Sequence, residues 1–499
     1  MDTQNITEAI RPQDIAASCV TSEVGSDCAF YGKNAKINNL FRYTGENYLP
    51  GIPTRNDIVA ENDEGLTEIL ENALINRQNI PFMPVDIEES NEYINQTPHY
   101  VLRLYGPLIN GQKAVVTITG IKVFFDICVP DNKDARFFES EIKTIFANKK
   151  DEEKTVDVSK IRIEHIKAFP ICGYHMEKKS YLRVFTPNTF QRKIALNIIR
   201  NYKSEKQSSL ILETASDDRS AYYRKVAREY GISLSGWGMI SNYNYDKCCP
   251  LCSYAFRVSI NNFQPMEDSL NIRNLFPTSA ITHDRTLVLT WDIETHTERG
   301  LDQLPRPWYL EDTVFMICMT IHWKNDPKPL KQICLADVET ASDPNWITII
   351  CENQTNLLKA FALCWRALAP DIVIGFNDSD YNWPFIVEKA KQLNILDWMW
   401  LQMSANTQKS TAEQILRWNY YGKIGKHLAP KRHSSSIKEK TCEDSPSEEA
   451  FASEEEGFSQ REIKIKIGLE EFFISSFLKL PGCVPIDVRA SFKKIYPRS

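Results

Sequence analysis

The chain has 499 residues, which at about 150 residues per domain predicts about three domains. Its 59 Lys and Arg residues against 65 Asp and Glu residues give a net charge of −6, and 42% of the residues are hydrophobic and 25% charged. This composition excludes a globally disordered or collagen-like chain. The mildly acidic total also excludes a protein that coats nucleic acid through bulk positive charge, so a polyanionic partner requires a local basic surface.

Thirteen cysteines, an odd number scattered along the chain, are unlike a disulfide framework and indicate a reducing compartment. Residues Met1–Asn5 lack the basic and then apolar pattern of a secretory leader. The longest apolar runs, such as Val314–Met319, fall far short of the roughly 18 residues that cross a bilayer. We therefore expect an intracellular protein without a membrane segment, nuclear if its source is eukaryotic.

The first 284 residues change character once. Residues 1–95 are polar and interrupted by Pro and Gly, which predicts a partly disordered lead-in with one helix around Gly65–Asn76. From Tyr100, β-branched and aromatic runs predict a strand meander. Residues 96–284 are therefore predicted to form a mostly β domain of the α+β class, whose later strands and helices lie at 161–166, 181–185, 189–202 and 221–230.

From Thr286 the predicted order is three strands, a helix, a strand and a helix. These elements lie at 286–291, 314–323, 332–335, 357–368, 371–375 and 383–393. Consecutive hairpin strands followed by a crossover are typical of the mixed sheet of ribonuclease-H-like nucleases. We therefore predict an α/β domain of this type over residues 285–499. Residues 422–462 carry a basic block and then an acidic block with almost no large apolar residue, which predicts a disordered insertion.

Asp292-Ile293-Glu294 lies at the predicted end of the first strand of this domain. Residues two apart on a strand face the same side, so both carboxylates point out of one face while Ile293 points to the core. Carboxylates and phosphate oxygens hold Mg²⁺ or Mn²⁺, and two such ions about 4 Å apart support phosphodiester hydrolysis. However, Asp86-Ile87-Glu88 repeats the triplet in an ordinary polar segment. Spacing alone therefore leaves a metal site and a chance pair of acids both open.

The segment Gly375-Phe376-Asn377-Asp378-Ser379-Asp380-Tyr381-Asn382-Trp383-Pro384-Phe385 follows the predicted strand at 371–375. Together with Thr290-Trp291-Asp292-Ile293-Glu294-Thr295, it resembles the first two exonuclease motifs of the family B DNA polymerases. Val101–Gly106 resembles the N-terminal domain of that family, and Gly482–Tyr496 resembles the stretch before its third exonuclease motif. The resemblance implies an N-terminal domain at 96–284 and an incomplete 3′–5′ proofreading exonuclease domain at 285–499.

The resemblance implies that Asp292 and Glu294 are catalytic ligands of Mg²⁺ or Mn²⁺. In its second motif the family carries an aspartate directly after an aromatic residue. Here the aromatic residue is Tyr381, but Asn382 follows it. An amide keeps an oxygen and loses the negative charge, so we expect one of the two metal ions to be held less tightly.

The resemblance also implies that Phe376, Asn377 and Tyr381 contact a single-stranded DNA end. For Phe376 and Asn377, core packing and a cap remain the alternative. Asp378 and Asp380 are interpreted as turn and N-cap residues of the following helix.

No tyrosine in the sequence is followed four residues later by aspartate, which is the spacing of the family's third motif. No residue of this sequence is assigned as a catalytic aspartate of a polymerase domain either. The resemblance therefore implies a metal-dependent DNA exonuclease module, impaired at Asn382, that binds single-stranded 3′ ends. One candidate partner of this module is a polymerase domain on another chain. The alternatives are a catalytically inactive DNA-binding protein and a scaffold.

Two further patterns stay open. Cys249 and Cys252, with Cys248 beside them, have the spacing of half a zinc site without a second half. Residues 178–206 carry eight positive charges among aromatic residues, which fits either a nucleic-acid surface or a solvated helix face.

Overall fold

The structure is a computed structural model that describes residues 39–151, 154–202, 212–249, 251–266, 276–300, 302–405, 410–421, 463–468 and 470–496. The predicted insertion at 422–462 lies outside the described residues. Within these ranges, no helix has the length and apolarity that crossing a bilayer requires.

A partly disordered lead-in was expected over residues 1–95, but residues 39–95 form regular elements. These are β1 (Leu40–Arg42), α1 (Arg55–Glu61), α2 (Leu66–Ile75), β2 (Ile80–Phe82) and β3 (Asp86–Ile94). Tyr43, Ile58 and Val59 are buried in the same hydrophobic core as residues of the predicted exonuclease region. Scattered apolar residues in a polar stretch gave no local signal of this long-range packing. The domain bounds themselves stay a prediction.

The elements from residue 96 to 284 are mostly strands. They are β4 (Thr97–Pro107), β5 (Lys113–Thr119), β6 (Val123–Cys128), α3 (Ala135–Asn148), β7 (Arg162–Ala168), β8 (Lys179–Thr186), α4 (Thr189–Asn201), α5 (Tyr222–Tyr230), β9 (Gly238–Ile240), β10 (Asn244–Cys249), β11 (Cys252–Ser259), β12 (Phe263–Pro265) and α6 (Thr278–Thr282).

These strands form three sheets, with the orders β10-β11-β5-β4-β3, β12-β9-β2 and β6-β8-β7. The meander predicted from Tyr100, with strands expected at 100–105, 114–118 and 121–129, is correct for β4 and β5, which pair antiparallel. It is wrong for the third strand, because β6 leaves that sheet and pairs with β8. Gly120, with φ +80° in the left-handed region that favours glycine, lies between β5 and β6.

The elements from residue 285 onward begin in the predicted order. They are β13 (Leu287–Thr297), β14 (Asp312–Trp323), β15 (Lys331–Ala336), β16 (Ile347–Ile350), α7 (Gln354–Leu368), β17 (Ile372–Gly375), α8 (Trp383–Gln392), α9 (Leu396–Met403), α10 (Ala412–Trp418), β18 (Tyr420–Tyr421), β19 (Ile463–Lys466), β20 (Phe472–Ser475), β21 (Phe477–Leu478), β22 (Val484–Asp487) and α11 (Val488–Ile495). Up to α8 they follow the predicted order with one addition, β16, and further elements come after α8.

Seven strands form the sheet that carries the predicted motifs, in the order β1-β16-β15-β14-β13-β17-β22. The β13–β14 and β14–β15 pairs are antiparallel, and the other neighbouring pairs are parallel. The predicted fold class, a mixed α/β sheet of ribonuclease-H-like order preceded by a mostly β region, is confirmed. The sequence reading missed β16, although its residues Ile347–Ile350 are largely apolar.

Candidate active site

Asp292 and Glu294 lie on an open face of the seven-stranded sheet. Along β13, Trp291 and Ile293 are buried while Asp292 and Glu294 are exposed, as the two-residue period of a strand requires. The strand continues to Thr297, so the two carboxylates lie within it rather than at its end, and a register shift follows between Glu294 and Thr295. Both side chains are therefore available to a ligand that approaches this face.

The opposite side of β13 is fixed by aromatic packing. The ring of Trp291 lies 5.1 Å from that of Phe361 on α7 and 5.1 Å from that of Trp383 on α8. Its indole Nε1–H also donates to Asp378 Oδ2 at 3.0 Å. Trp291, the neighbour of Asp292, thus connects β13 to both helices and to the second motif.

The second motif forms a loop, Phe376–Asn382, that ends in a wide turn of π-helix over Asp378–Asn382 and continues directly into α8. Asn377 has φ 64°, in the left-handed region where Asn is tolerated better than most residues. The loop begins at Gly375, where an added Cβ would lie 2.0 Å from Asp378 Oδ1. Glycine at this position therefore allows the Asp378 carboxylate to fold back against the strand end.

Asn382 connects the two predicted motifs directly. Its side chain is buried, with 1% of its surface exposed. Its Nδ2 donates to Asp378 Oδ1 at 2.7 Å and to Asp292 Oδ1 at 3.2 Å. The amide therefore supplies hydrogen-bond donors between two carboxylates, where a carboxylate would add a third negative charge.

Asp378 is the buried acid of this cluster. Burial is the largest influence and raises the pKa of Asp378 to about 7, and the charges of Asp487 and Asp292 act in the same direction. Hydrogen bonds from Asn382 and Trp291 favour the ionised form and oppose this rise. The group therefore titrates near neutral pH.

Two residues that the sequence reading did not single out hold the loop in place. The carboxylate of Asp487, at the end of β22, accepts hydrogen bonds from the backbone N–H groups of Asn377 at 3.1 Å and Ser379 at 2.9 Å. Arg489, in the first turn of α11, donates to the side chain of Asn377 and to Asp380 Oδ2, the latter at 2.6 Å. The N-cap position of Asp487, directly after a strand, was a local signal that could have drawn attention to it.

The three residues predicted to contact DNA lie at the same loop in different environments. Phe376 is 58% exposed. The side chain of Asn377 accepts from Arg489. Tyr381 is half-buried, its hydroxyl lies 2.5 Å from Thr295 Oγ1, and its ring packs 4.9 Å from that of Phe385. Of the three, Phe376 is the side chain most open to a ligand.

The interpretation of Asp378 and Asp380 as turn and cap residues was wrong for the helix cap. Asn382 occupies the N-cap position of α8 and makes no side-chain cap bond. Asp378 instead binds Trp291 and Asn382, and Asp380 pairs with Arg489 at the surface. The physical reason is the π-turn, which turns the Asp378 side chain towards β13.

The repeated triplet Asp86-Ile87-Glu88 has a structural role that differs from that of Asp292-Ile293-Glu294. Asp86 is buried at the start of β3, where it accepts from Lys479 Nζ at 3.0 Å and from the backbone N–H of Gly482 at 2.9 Å. This carboxylate therefore fastens the segment before β22 to the N-terminal sheet.

The part of the chain that carries both motifs is similar to known proteins. Residues 221–423 match the family model described as "DNA polymerase family B, exonuclease domain". The chain contains a family B exonuclease region. The predicted family resemblance is thereby confirmed, and both motifs, with Asp292 and Asn382, lie within the matched residues.

The relatives that the chain resembles in sequence are longer proteins named as polymerases. Over 450 residues, or 89% of the chain, it is 31% identical to "DNA polymerase beta" of African swine fever virus (isolate Pig/Kenya/KEN-50/1950), of which it covers 31%. It is 22% identical over 329 residues, or 64% of the chain, to "DNA polymerase delta catalytic subunit" of Schizosaccharomyces pombe, of which it covers 28%. The chain therefore spans about a third of the length of these relatives.

One solved structure similar to this chain is that of the family B DNA polymerase from the hyperthermophilic archaeon Pyrobaculum calidifontis. The match covers 64% of this chain and 33% of that one, with 17% identity and a TM-score of 0.41.

The donor set of the family B region suits one hard dication better than two. Asp292 and Glu294 present two carboxylates on the exposed face, which is enough for one Mg²⁺ or Mn²⁺ with water and phosphate oxygens. At the second motif, Asn382 directs an N–H donor rather than an oxygen at Asp292. Among the described residues, no group of three or more His, Cys, Asp or Glu side chains is arranged to hold a metal.

Two arginines of the basic stretch at 178–206 form ion pairs within the protein. Arg183 pairs with Asp126 at 2.8 Å and with Glu229, and Arg192 pairs with Asp218 at 2.8 Å. These two arginines are therefore neutralised locally rather than presented to a polyanion. Residues 203–206 and the side chains of Cys248 and Cys249 lie outside the described part of the chain, while Cys252 is buried.

Proposed function

We propose that the chain binds the single-stranded 3′ end of DNA over the open face of β13, and that its metal-dependent 3′–5′ exonuclease activity is impaired. The family B exonuclease region and the names of its polymerase relatives support DNA as the ligand. The observation that carries the impairment is the Asn382 amide, which donates to Asp292 and Asp378.

In this proposal, Asp292 and Glu294 are the residues that would hold Mg²⁺ or Mn²⁺. When bound, such an ion would neutralise charge on a phosphodiester and lower the pKa of water. Asp292 Oδ1 already accepts from Asn382 and from the backbone N–H of Ile293 at 3.0 Å. Since these donors compete for the same lone pairs, we expect a weaker site than a full set of carboxylates would form.

The proposed path of the DNA strand runs along an aromatic row beside the loop. Phe376 packs 6.1 Å from Phe492 on α11, and Phe492 stacks 6.2 Å from Tyr496. All three rings are more than half exposed. Lys493 and Lys494 lie on the same helix, and aromatic faces among positive charges are typical of surfaces that bind unstacked bases.

Binding and cleavage of an end-labelled oligonucleotide test the proposal. We expect the full chain to bind single-stranded DNA with steep salt dependence and to shorten it slowly, if at all, with Mn²⁺. Asp292→Ala should retain binding. Rapid digestion that Asp292→Ala abolishes would overturn the impairment and favour an active exonuclease. No salt-dependent binding would favour the scaffold alternative.

The aromatic row has a matched control elsewhere. Phe492→Ala should weaken DNA binding about tenfold, because stacking contributes about 1–3 kcal/mol per base. Phe137 on α3 is also exposed, at 63%, but lies in the N-terminal part. Phe137→Ala should leave binding unchanged. Equal losses in both variants would contradict the proposed path of the strand.

A further inference from the structure

A pair of cysteines lies in the same row of side chains as Asp292. Across the three neighbouring strands, Asp292 on β13 is directly opposite Cys318 on β14, and Cys318 is directly opposite Cys334 on β15. Directly opposed residues in antiparallel strands share a face of the sheet. Both cysteines therefore lie on the open face that carries the carboxylates.

The backbone spacing of this pair suits a disulfide. The N–H of Asp337 donates to the carbonyl of Phe315 at 2.9 Å, which marks these opposed residues as a hydrogen-bonded pair. Hydrogen-bonded and non-hydrogen-bonded pairs alternate along an antiparallel ladder, so Cys318 and Cys334, three residues further on, form a non-hydrogen-bonded pair. Such pairs have Cα atoms about 4.5 Å apart, within the range that disulfides span.

The two thiols lie on adjacent strands and are partly accessible. Both cysteines are free and half-buried. Interaction between the two neighbouring side chains raises the pKa of Cys318 and lowers the pKa of Cys334. By contrast Cys351, the next cysteine along the chain, is fully buried. The pair therefore combines proximity with access for a small oxidant.

We infer that Cys318 and Cys334 form a reversible redox pair, which a low-molecular-weight disulfide oxidises to a cross-strand disulfide. With oxidised glutathione, the sulfur of Cys334 attacks the glutathione disulfide, that bond breaks and one glutathione leaves as a thiol. The sulfur of Cys318 then attacks the mixed disulfide and releases the second glutathione. Two protein thiols lose two electrons, glutathione gains them, and the two thiol protons end on the released glutathione.

This disulfide should be reducible under mild conditions. Its partly exposed position leaves it open to attack by an external thiol, and accessible disulfides belong to the labile class. The pair lies one strand away from Asp292, so oxidation modifies the open face without changing either acid. The inference does not depend on the proposed function.

Peptide mapping of the reduced full chain after exposure to oxidised glutathione tests the inference. Remaining thiols are blocked with N-ethylmaleimide before tryptic digestion. We expect the peptide 300–324, whose single cysteine is Cys318, to be linked to the peptide 332–359. Fragmentation should assign the link to Cys334 rather than Cys351, and dithiothreitol should release both peptides.

Three controls decide the outcome. Exposed Cys172 should acquire glutathione, which shows that the oxidant reacted. Cys318→Ser and Cys334→Ser should each abolish the link, leaving the remaining cysteine with a single glutathione. Separate adducts on Cys318 and Cys334 in the wild-type chain would overturn the inference, as would a link that forms only in guanidinium.

Discussion

At the second motif the amide of Asn382, which stands where the family resemblance predicts a carboxylate, donates to Asp292 and Asp378. Three acidic groups so close together would repel one another unless a cation lay between them. The amide removes one charge and satisfies the oxygens of the other two. The site is therefore stabilised by hydrogen bonds within the protein.

Asp378 makes folding depend on pH. Its carboxyl has a pKa of about 7 in the folded chain against 3.8 ordinarily. The folded form therefore keeps a proton that the unfolded form releases, and stability is lost as pH rises from about 4 through about 7. A rise of roughly three units corresponds to at most about 4 kcal/mol.

Urea unfolding of the wild type and Asp378→Asn at pH 5 and pH 8 measures this effect. Asp378→Asn loses one acceptor at both pH values, but its stability should fall less between them. Asp380→Asn changes an exposed acid in the same turn and should keep the wild-type pH dependence. Equal pH dependence in all three proteins would refute the role of Asp378.

Single residues were predictable where the signal was local. The two-residue period of β13 was sufficient to place Asp292 and Glu294 on one face. The Asn382–Asp292 contact joins residues 90 positions apart and had no local signal. Asp378 was misjudged because capping rules consider only the helix that follows, whereas its partner Trp291 lies on another element.

Among the elements, the end of β22 and the start of α11 determine the shape of the Phe376–Asn382 loop. Asp487 accepts from two loop N–H groups and also from the N–H of Arg489, as a helix cap. The loop therefore depends on a strand more than a hundred residues away in sequence.

Removing this carboxylate should loosen the loop. We predict that Asp487→Ala lowers the free energy of unfolding by about 2 kcal/mol and speeds hydrogen exchange over residues 376–382. Asp134→Ala removes a comparable cap, on α3 in the N-terminal part. It should cost similar stability without changing exchange in the loop. Faster exchange there in both variants would indicate a general loss of stability instead.

The types of the elements followed from apolar periodicity, as for α7, whose buried face recurs at helical spacing. The pairing of the strands did not follow from this periodicity. The strand β6 leaves the predicted meander, and β1 joins the seven-stranded sheet from a polar segment. Strand partners are selected by packing between distant segments, which a local pattern does not contain.

For the whole molecule, a buried ion pair joins the N-terminal segment to the exonuclease sheet. Arg55 on α1 contacts Asp371, before β17, at 2.6 Å, with 4% and 0% of their side chains exposed. Lys113 donates to the carbonyls of Pro370 and Gly482, each at 2.7 Å. Residues 39–61 are thus built into the exonuclease core, whereas Leu66–Phe82 pack in the core of the N-terminal sheets.

This connection is testable by truncating one partner. Arg55→Ala leaves a buried carboxylate short of its main partner and should cost about 3 kcal/mol or more. Arg42 forms an exposed pair with Glu339 at 2.7 Å, so Arg42→Ala should cost less than about 1 kcal/mol. Chemical denaturation measures both, and similar losses would show that the buried pair has no special role.

Binding of Mn²⁺, followed by isothermal titration calorimetry, tests most directly whether the Asn382 amide weakens the metal site. We predict that Asn382→Asp binds Mn²⁺ at least about tenfold more tightly than the wild type, or binds an additional ion. Asp380→Asn should match the wild type, and Asp292→Ala should bind less. Equal affinity and stoichiometry in the wild type and Asn382→Asp would contradict the account.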